Sequence, residues 1–310
     1  MKLASIKVGN EVLAAAVVDD EVVDLSIAAP DLPATMSDLL KLGAPALERI
    51  AGAIDSGTGR RSLDLADLAA PIQRPSKFLA VGLNYADHVA ESGQETPEFP
   101  TVFAKMPSCV AGPYDDVMRP SVSDKLDYEG ELGFVIGRRC HHVSRERAAD
   151  VIAGYVIVND FSVRDYQLRT SQWVLGKSFD THGPFGPWIV TPDEIDAGQL
   201  DIRTLVNGEE RQYSNTKNLI FDCYAQVELI SSVCTLEPGD IVATGTPGGV
   251  GIASNRFLVP GDIVRVEIEG LGAIQNRIVQ ETVDSTSEHP SSSRLGVAEP
   301  LVPTAPMHRI

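Results

Sequence analysis

The chain has 310 residues, of which 43% are hydrophobic and 22% charged, a composition that excludes a fully disordered protein. Its net charge of −17 opposes binding to nucleic-acid phosphates or anionic lipid, although a local basic pocket for a small anion stays open. No stretch reaches the roughly 20 apolar residues of a membrane helix, and Lys7 and Glu11 interrupt the region where a signal peptide would be apolar. The four cysteines form no Cys-x-x-Cys motif, which indicates reduced thiols and a cytoplasmic location rather than a zinc site.

The first 72 residues have the pattern of a small α+β lobe. Residues 1–25 alternate as short strands, and the apolar spacing then turns helical from Met36 to Ile54, with an interruption near Gly43. A glycine-rich stretch at residues 56–61 and a pair of prolines after it mark the end of the lobe. We therefore predict a first unit at residues 1–72.

The following segment, residues 73–284, is rich in strand patterns and has few predicted helices, at Arg145–Ile152, around Asp165–Thr170 and at Phe221–Cys234. One heptapeptide is nearly repeated, as 236–242 and 258–264, and each copy is a Pro-Gly turn before a β-branched strand. The repeat predicts two hairpin entries in one sheet of a roll or barrel-like body.

The last 26 residues differ in composition from the rest of the chain. Residues 285–310 are rich in proline and serine and carry little apolar pattern, which is typical of a disordered segment. We treat them as a separate C-terminal tail.

The most informative residues are carboxylates in and after two predicted strands. Glu129 and Glu131 lie two residues apart in the strand pattern 126–136, so their side chains project to one face. The next strand, 154–160, is almost wholly apolar and ends at Asp160. Carboxylates that lie close together repel unless a cation neutralises them, and oxygen ligands select a hard cation such as Mg²⁺, Mn²⁺ or Ca²⁺ over zinc. The alternative is an edge strand with glutamates on its solvent face.

Two further side chains are candidates for catalysis. His88 and Glu91 have the i, i+3 spacing of neighbours on a helix, and a carboxylate that holds an imidazole makes it a better base for deprotonating water. Lys177 lies among glycine, phenylalanine and proline, a setting that suits a buried cation facing an anionic ligand. A solvated helix face and an ordinary loop lysine are the respective alternatives, and we interpret the nearby His182 as a structural residue.

The glycine-rich segment 244–251 lacks the Gly-Lys-Ser/Thr ending of a phosphate-binding loop. A turn that offers Thr246 and backbone N–H groups to a carboxylate fits it better. No Gly-x-Ser-x-Gly motif occurs, which excludes the common serine-hydrolase arrangement.

Several segments in order resemble the fumarylacetoacetate hydrolase family. The resemblance spans residues 75–282, and the segments that carry it are Gly82–Glu91, Asp127–Leu132, Gly154–Asp165, Gly176–Thr181 and Thr244–Gly251. It implies a strand-rich α+β fold, a mixed β-sandwich roll with a small N-terminal α+β lobe, and a homodimer. The Pro/Ser-rich tail departs from the family pattern.

The resemblance also implies roles for individual residues. Glu129, Glu131 and Asp160 would be the metal ligands, with Mg²⁺ or Mn²⁺ as the cofactor and Ca²⁺ as an alternative. His88 and Glu91 would activate water, and Lys177 would face the substrate. Arg164, Gln167 and Thr246 are the further substrate-binding candidates.

These roles predict a hydrolase that cleaves the C3–C4 bond of an acylpyruvate to pyruvate and a carboxylic acid. An oxaloacetate decarboxylase or tautomerase, or an isomerase of a 2-hydroxy-diene dioate, would use the same site, and a non-catalytic 2-keto acid-binding module is a more distant alternative. The predicted partner is a small 2-keto acid, with no nucleic acid and no membrane. We name as candidates for the acyl pocket the aromatic residues Phe99, Phe103, Phe185 and Trp188.

Overall fold

The computed structural model describes residues 1–93 and 95–282 of the chain. The predicted tail, 285–310, lies outside the described residues, as do the last two residues of the predicted segment 73–284. The strands are β1 Lys2–Val8, β2 Glu11–Val18, β3 Glu21–Asp24, β4 Arg60–Ser62, β5 Leu68–Ala69, β6 Phe78–Gly82, β7 Thr101–Lys105, β8 Val110–Ala111, β9 Val117–Arg119, β10 Leu126–Asp127, β11 Gly130–Ile136, β12 Ile152–Asn159, β13 Ser162–Val163, β14 Gly183–Val190, β15 Asp201–Val206, β16 Glu209–Asn215, β17 Ile241–Ala243, β18 Ile263–Ile268 and β19 Gly272–Gln280.

Helices are short and connect the strands. The α-helices are α1 Leu25–Ala28, α2 Met36–Leu40, α3 Ala44–Ser56, α4 Ala86–Ser92, α5 Arg164–Gln167, α6 Val174–Lys177, α7 Cys223–Val233 and α8 Gly251–Ser254. Four 3₁₀ helices lie at Leu65–Asp67, Pro107–Cys109, Arg145–Val151 and Thr216–Asn218, so the helix predicted at 145–152 takes the tighter form. None of the helices in the described part of the chain is long and apolar enough to cross a bilayer.

The strands form two open mixed sheets and one small ladder. The larger sheet has 12 strands in the order β4-β3-β2-β1-β14-β12-β11-β17-β6-β7, with β5 added beside β1 and β8 beside β14. The second has five strands in the order β16-β15-β18-β19-β9, and β10 pairs with β13. This arrangement confirms the strand-rich α+β fold, but the described sheets are open, whereas the sequence also allowed a barrel-like body.

The N-terminal residues form the helices and strands predicted for a small lobe, and they join the larger sheet directly. The helical stripe from Met36 is split into α2 and α3, and Gly43 between them has the positive φ of 64° that glycine tolerates. Strand β1 pairs with β2 on one side and, through Lys2 and Leu3, with β14 on the other. The division after residue 72 stays a prediction, as do the cytoplasmic location and the homodimer.

The two copies of the repeated heptapeptide lead into different sheets. Strand β17 lies between β11 and β6 in the larger sheet, whereas β18 lies between β15 and β19 in the five-stranded sheet. The prediction of two entries in one sheet is therefore wrong. The turn sequence determines where a strand begins, but the partner depends on distant contacts: buried Asp240 of the first copy accepts hydrogen bonds from Ser76 and from the backbone and side chain of Lys77.

Strands β11 and β12 lie side by side at the centre of the larger sheet and determine where the site forms. They pair antiparallel, with Gly130 opposite Asn159, and every residue of β11 is buried. A Cβ atom on Gly130 would lie 2.2 Å from the hydroxyl oxygen of Thr204 in β15, so only glycine lets the second sheet approach the start of β11 this closely. The ends of β11 and β12 are thus enclosed by both sheets.

His182 is a core residue, as predicted. It is fully buried, its Nε2 lies 2.7 Å from the backbone oxygen of Met118, and its ring packs against Phe161 and Phe179. Burial lowers the pKa of His182 to about 3. Between that pH and about 6.5 the unfolded chain binds a proton at this histidine that the folded chain does not bind.

Folding stability should therefore fall as the pH is lowered below about 6.5. From the two pKa values we expect His182 to account for a loss of about 2–3 kcal/mol in the free energy of unfolding between pH 7 and pH 4.5. The measurement is urea denaturation of the wild type and of His182→Gln at both pH values. Equal pH dependence of the two proteins would contradict the assignment.

Candidate metal centre and active site

The predicted strand 126–136 is interrupted where the site begins. Strand β10 ends at Asp127 and β11 starts at Gly130, so Tyr128 and Glu129 lie between the two strands. At the break, the buried carboxylate of Asp127 accepts hydrogen bonds from the backbone N–H groups of Gly251 (2.7 Å) and Ile252 (2.9 Å) at the start of α8. Glu129 then donates its N–H to the side-chain oxygen of Asn159 and accepts from the N–H of Asp160.

This geometry brings three carboxyl groups together. One oxygen from each of Glu129, Glu131 and Asp160 lies within 4.8 Å of the others, and all three residues are buried. Glu131 is fixed by a 2.7 Å hydrogen bond from the N–H of Gly245, in the glycine-rich segment after β17. The same-face relation expected for Glu129 and Glu131 is therefore found, although Glu129 lies outside the regular strand.

Three cations surround the carboxyl groups. The Nζ of Lys177 lies 2.5 Å from Glu129 and 2.8 Å from Asp160, and Nη1 of Arg164 lies 2.6 Å from the other oxygen of Glu129. Lys105, at the end of β7, is fully buried, and its Nζ lies 2.6 Å from Asp160 and also donates to the backbone oxygen of Lys177. Of the three clustered carboxyl groups, Glu129 and Asp160 thus have cationic partners, whereas Glu131 forms no ion pair among the described residues.

The pKa values of Glu129 and Glu131 shift in opposite directions for this reason. Burial opposes ionisation of Glu129, but Lys177 and Arg164 outweigh it and lower its pKa to about 2. Burial and the neighbouring carboxylates Asp160 and Glu129 hold the pKa of Glu131 well above its ordinary value. The site therefore lacks positive charge at Glu131.

These residues fit a hard divalent cation. The donor atoms are carboxylate oxygens, which Mg²⁺, Mn²⁺ and Ca²⁺ prefer. Metal–oxygen distances of about 2.0–2.6 Å place opposite ligand oxygens about 4–5 Å apart, and the three groups are already that close. Glu131 has no cationic partner among the described residues, and such an ion would supply the positive charge that its carboxylate lacks.

A cavity of about 260 Å³ opens beside the carboxylates. Its polar lining comes from His88, Glu129, Glu131, Arg164, Gln167, Lys177 and Thr246. Its other lining residues are apolar: Val81, Gly82, Leu83, Phe103, Leu168, Trp173, Val250 and Ile252. Every predicted catalytic and substrate-binding residue except Glu91 thus lines one cavity.

Helix α4 carries the predicted histidine–glutamate pair. The Nδ1 of His88 lies 3.5 Å from Oε2 of Glu91 and, although buried, has no closer polar partner in the described part of the chain. The same Glu91 oxygen accepts a 2.9 Å hydrogen bond from the N–H of Gly249, which ties the helix to the glycine-rich segment. The pair is therefore formed at the edge of the cavity.

The three predicted substrate-binding residues differ in the polar groups that they leave free. Arg164 uses Nε for Asp127 and Nη1 for Glu129 and Gln167, while its buried Nη2 has no partner among the described residues. The hydroxyl of Thr246 already donates to the oxygen of Gly130 and accepts from Gln212. Thr246 thus supports the start of β11, and only Arg164 keeps a buried donor without a partner.

The aromatic residues proposed for the acyl pocket are mostly elsewhere. Phe103 lines the cavity, but Phe99 is 69% exposed, Phe185 is fully buried in the core beneath the N-terminal lobe, and Trp188 packs on other core residues. That prediction is wrong for these three, because aromatic residues close in sequence to a motif need not face the same side. The cavity uses Trp173 instead.

Sequence reasoning also missed Lys105. The residue ends an apolar strand, which is the signal that identified Asp160, and a lysine in that position is equally unlikely to be buried without a partner. The sequence also predicts no role for a fourth carboxylate, Asp127, which accepts hydrogen bonds from Arg164 and from the start of α8.

The chain belongs to the fumarylacetoacetate hydrolase family. The family model described as "Fumarylacetoacetate (FAA) hydrolase C-terminal" matches residues 77–279. Members of the family are enzymes, and so is this chain.

Three relatives illustrate the activities within this similarity. The oxaloacetate tautomerase fahd2, mitochondrial, of Xenopus laevis is 41% identical over 263 residues, which cover 83% of this chain and 82% of the relative. A crystal structure of maleylpyruvate hydrolase from Sphingobium sp. SYK-6, in complex with manganese(II) and pyruvate, is 32% identical, with a TM-score of 0.76. The structure of 2-hydroxyhepta-2,4-diene-1,7-dioate isomerase from Mycobacterium marinum is 36% identical, with a TM-score of 0.72. Each of these two structures is covered completely and matches 91% of this chain.

Removal of the Lys105 charge should destabilise the metal-free protein. Lys105→Met leaves Asp160 with one cation instead of two in a buried site, so we expect a loss of about 3–5 kcal/mol in the free energy of unfolding. The measurement is chemical denaturation in EDTA, with and without excess Mn²⁺, which should restore part of the loss. Lys41→Met, at an exposed pair with Asp38, is the control. If Lys105→Met is as stable as this control in EDTA, the charge of Lys105 does not stabilise the buried Asp160 carboxylate as proposed.

Proposed function

We propose that this chain is a divalent-metal-dependent hydrolase that cleaves the C3–C4 bond of an acylpyruvate, giving pyruvate and a carboxylic acid. The observation that supports it best is the position of His88. This residue, with Glu91 beside it, lines the same cavity as three buried carboxyl groups that suit a cation. A water-activating base next to a site for an anionic 2-keto acid is the minimum that this hydrolysis needs.

In this proposal Glu129, Glu131 and Asp160 hold Mg²⁺ or Mn²⁺, with Ca²⁺ as an alternative. When bound, such an ion supplies positive charge that stabilises the negative charge developing on the substrate oxygens. The manganese and pyruvate in the maleylpyruvate hydrolase structure support this choice of cofactor and ligand class.

His88 acts as the general base. Its Nδ1 faces Glu91, which leaves Nε2 to take a proton from water. The present 3.5 Å separation is longer than a hydrogen bond, as is often found for catalytic pairs before substrate binds. The water oxygen forms a bond to C4 while the π electron pair of the C4 carbonyl moves to its oxygen. When that pair returns, the C3–C4 bond breaks and its electron pair moves to C3, which forms the pyruvate enolate.

The remaining polar residues hold the pyruvate portion. Lys177 stabilises the developing negative charge or returns a proton to C3, which completes pyruvate. Arg164 offers its unpaired Nη2 to the substrate carboxylate, and Gln167, which accepts from Arg164, orients that guanidinium. Thr246 lines the cavity, but its hydroxyl already bonds to Gly130 and Gln212, so it contributes by holding the start of β11.

A second candidate function is oxaloacetate tautomerisation. It is favoured by the Xenopus laevis relative, whose similarity covers 83% of this chain. Tautomerisation, decarboxylation and diene-dioate isomerisation all pass through an enolate and need no attacking water, so they depend on Lys177 and the carboxylates more than on His88. A binding module without turnover is the remaining alternative, and any metal-dependent product would exclude it.

The metal-ligand assignment can be tested apart from activity. Glu131→Gln keeps the size of the side chain but removes a ligand charge, so we expect Mn²⁺ to bind more weakly by a factor on the order of 100. Isothermal titration calorimetry measures the dissociation constant, and Glu48→Gln, on an exposed position of α3, is the matched control. An unchanged Mn²⁺ affinity of the Glu131 variant would remove it from the ligand set.

The hydrolase and the tautomerase proposals predict different effects of replacing His88. His88→Ala should lower kcat for acylpyruvate hydrolysis by about 10²- to 10⁴-fold while Mn²⁺ affinity stays that of the wild type, because the base is lost and the carboxylates remain. The assay offers acylpyruvates, fumarylpyruvate and oxaloacetate with Mg²⁺, Mn²⁺ or EDTA, and follows pyruvate, carboxylic acid, CO₂ and the enol form. His141→Ala, in the exposed loop after β11, is the control.

Each outcome of this assay selects one function. Pyruvate plus acid, lost in EDTA and in His88→Ala, supports the hydrolase. Conversion of enol to keto oxaloacetate without acid, retained in His88→Ala, would contradict it and favour the tautomerase. An unaffected hydrolysis rate in His88→Ala would end the assignment of the base.

A further inference from the structure

Another cavity, of about 1000 Å³, lies between two N-terminal helices and the ends of two central strands; we call it the α2–α3 cavity. One side comes from α2, the start of α3 and the chain between them. The other side comes from residues 137–139, directly after β11, and 150–153, at the start of β12. The remaining lining residues are Leu3, Ile72, Arg74, Pro75, Ser76, Thr191, Pro192, Asp193, Glu237, Pro238 and Gly239.

The α2–α3 cavity is separate from the metal centre. The clustered carboxyl groups lie at the start of β11 and just after the end of β12, whereas the α2–α3 cavity adjoins the opposite ends of these strands. The seven residues of β11 span about 20 Å at the usual strand rise. Among the described residues, none lines both this cavity and the one beside the carboxylates. A molecule bound here would therefore occupy a second site.

Aliphatic side chains from both sides line the α2–α3 cavity. Leu40, Ile72 and Val151 are at most 5% exposed, whereas Leu42 is 49% exposed although it lines the same space. An apolar chain in the cavity would remove Leu42 from water and pack against the other side chains. A large concave space with an apolar lining and a few polar groups is typical of a small-molecule site.

The charged side chains of the lining are unequally paired. Its carboxylates each lie near a cation: Asp150 is 3.2 Å from Arg147, Glu237 is 3.0 Å from Arg139, and Asp193 is 3.9 Å from the amino group of Met1. The cations of the lining are Lys41, Arg74, Arg138 and Arg139.

Two of these cations have no acidic partner. Lys41 pairs with Asp38, and Arg139 with Glu237, but Arg74 and Arg138 form no ion pair within the described part of the chain. The chain has 43 acidic residues and only 26 lysines and arginines, so unpaired arginines beside an apolar surface are unexpected. They indicate that the ligand carries an anionic group, because a guanidinium binds a carboxylate through two parallel hydrogen bonds.

We propose that the α2–α3 cavity binds a small carboxylic acid with an apolar chain, its carboxylate at Arg74 and Arg138 and its chain against the aliphatic lining. A ligand with several negative charges suits the cavity less well, since Asp150, Asp193 and Glu237 also line it and would repel additional charge. This site is additional to the metal centre and does not rest on the proposed function.

The test measures binding of fatty acids to the Mn²⁺-loaded protein by isothermal titration calorimetry. Octanoate and 1-octanol have the same chain length but differ in charge, and we expect octanoate to bind at least about 10-fold more tightly. From hexanoate to octanoate to decanoate, we expect the affinity to rise about 2- to 4-fold for each added methylene group, because a fully buried methylene contributes about 4-fold.

Three variants test the position of the ligand. Arg74→Gln and Arg138→Gln should each weaken octanoate binding about 3- to 10-fold and leave 1-octanol unaffected, because one guanidinium is lost and the aliphatic lining remains. Leu42→Asp places a negative charge in the aliphatic lining and should weaken octanoate binding at least about 10-fold. All three positions are exposed, so the variants are expected to fold.

Matched controls lie outside the α2–α3 cavity. Arg49→Gln removes a guanidinium from α3 that pairs with Asp31, and Ile27→Asp adds a charge at a position in α1 that is 59% exposed. Neither residue lines the cavity, so both variants should bind octanoate as the wild type does.

Several outcomes would overturn the inference. The absence of octanoate binding at millimolar concentration would remove the ligand class, and equal affinity for octanoate and 1-octanol would remove the role of the arginines. Unchanged octanoate affinity in Arg74→Gln, Arg138→Gln and Leu42→Asp would show that octanoate binds elsewhere, for example at the metal centre. The expected affinities would support the second site whether or not acylpyruvates are hydrolysed.

Discussion

The structure depends on burying several carboxyl groups in one place. Glu129, Glu131, Asp160 and Asp127 are all buried, and a buried carboxylate without a partner is strongly unfavourable. Lys177, Lys105 and Arg164 approach them, but four carboxyl groups face only three cations. The pKa of Glu131 is raised because the residue is buried beside Asp160 and Glu129. A bound divalent cation would stabilise the ionised form of Glu131 and so lower this pKa.

Much of the local backbone is arranged to maintain this cluster. Asp127 lies at the break before β11, where its carboxylate accepts hydrogen bonds from the start of α8 and from Nε of Arg164. Gln212 bonds to both the N–H of Gly130 and the hydroxyl of Thr246, so the second sheet clamps the start of β11. The break between β10 and β11 leaves Glu129 outside regular strand pairing. In that position its carboxyl group lies beside those of Glu131 and Asp160.

The sequence predicts the features that follow from local rules. The two-residue spacing of Glu129 and Glu131 predicts that their carboxyl groups lie close together, and the placement of an acid after an apolar strand identifies Asp160. The order of several short motifs identifies the family. The sequence does not show which strands pair, because the same Pro-Gly turn precedes both β17 and β18, which end in different sheets.

Long-range contacts explain what the sequence could not predict. Lys105 lies 55 residues from Asp160, and nothing in its own segment indicates that the two side chains meet. The hydroxyl of Thr246, a substrate-binding candidate, already bonds to Gln212 and Gly130, and the cavity is lined by Trp173 rather than by Phe99, Phe185 or Trp188. Side-chain partners of this kind depend on how separate elements pack, and local periodicity carries no information about that packing.

The joining of Trp173 and Lys177 in one helical turn has a consequence for how such a site can change its substrate. A shift of α6 that enlarges the cavity beside Trp173 would also move Lys177 away from Glu129 and Asp160, which would disturb the cluster on which the chemistry depends. Selection for a larger substrate is therefore expected to act on the side chain at position 173, or on Gly82 and Phe103 against which it rests, and not on the backbone of the helix. A family with one reactive cluster and several reactions can then diverge through the apolar residues that line the cavity while the buried charges stay in place.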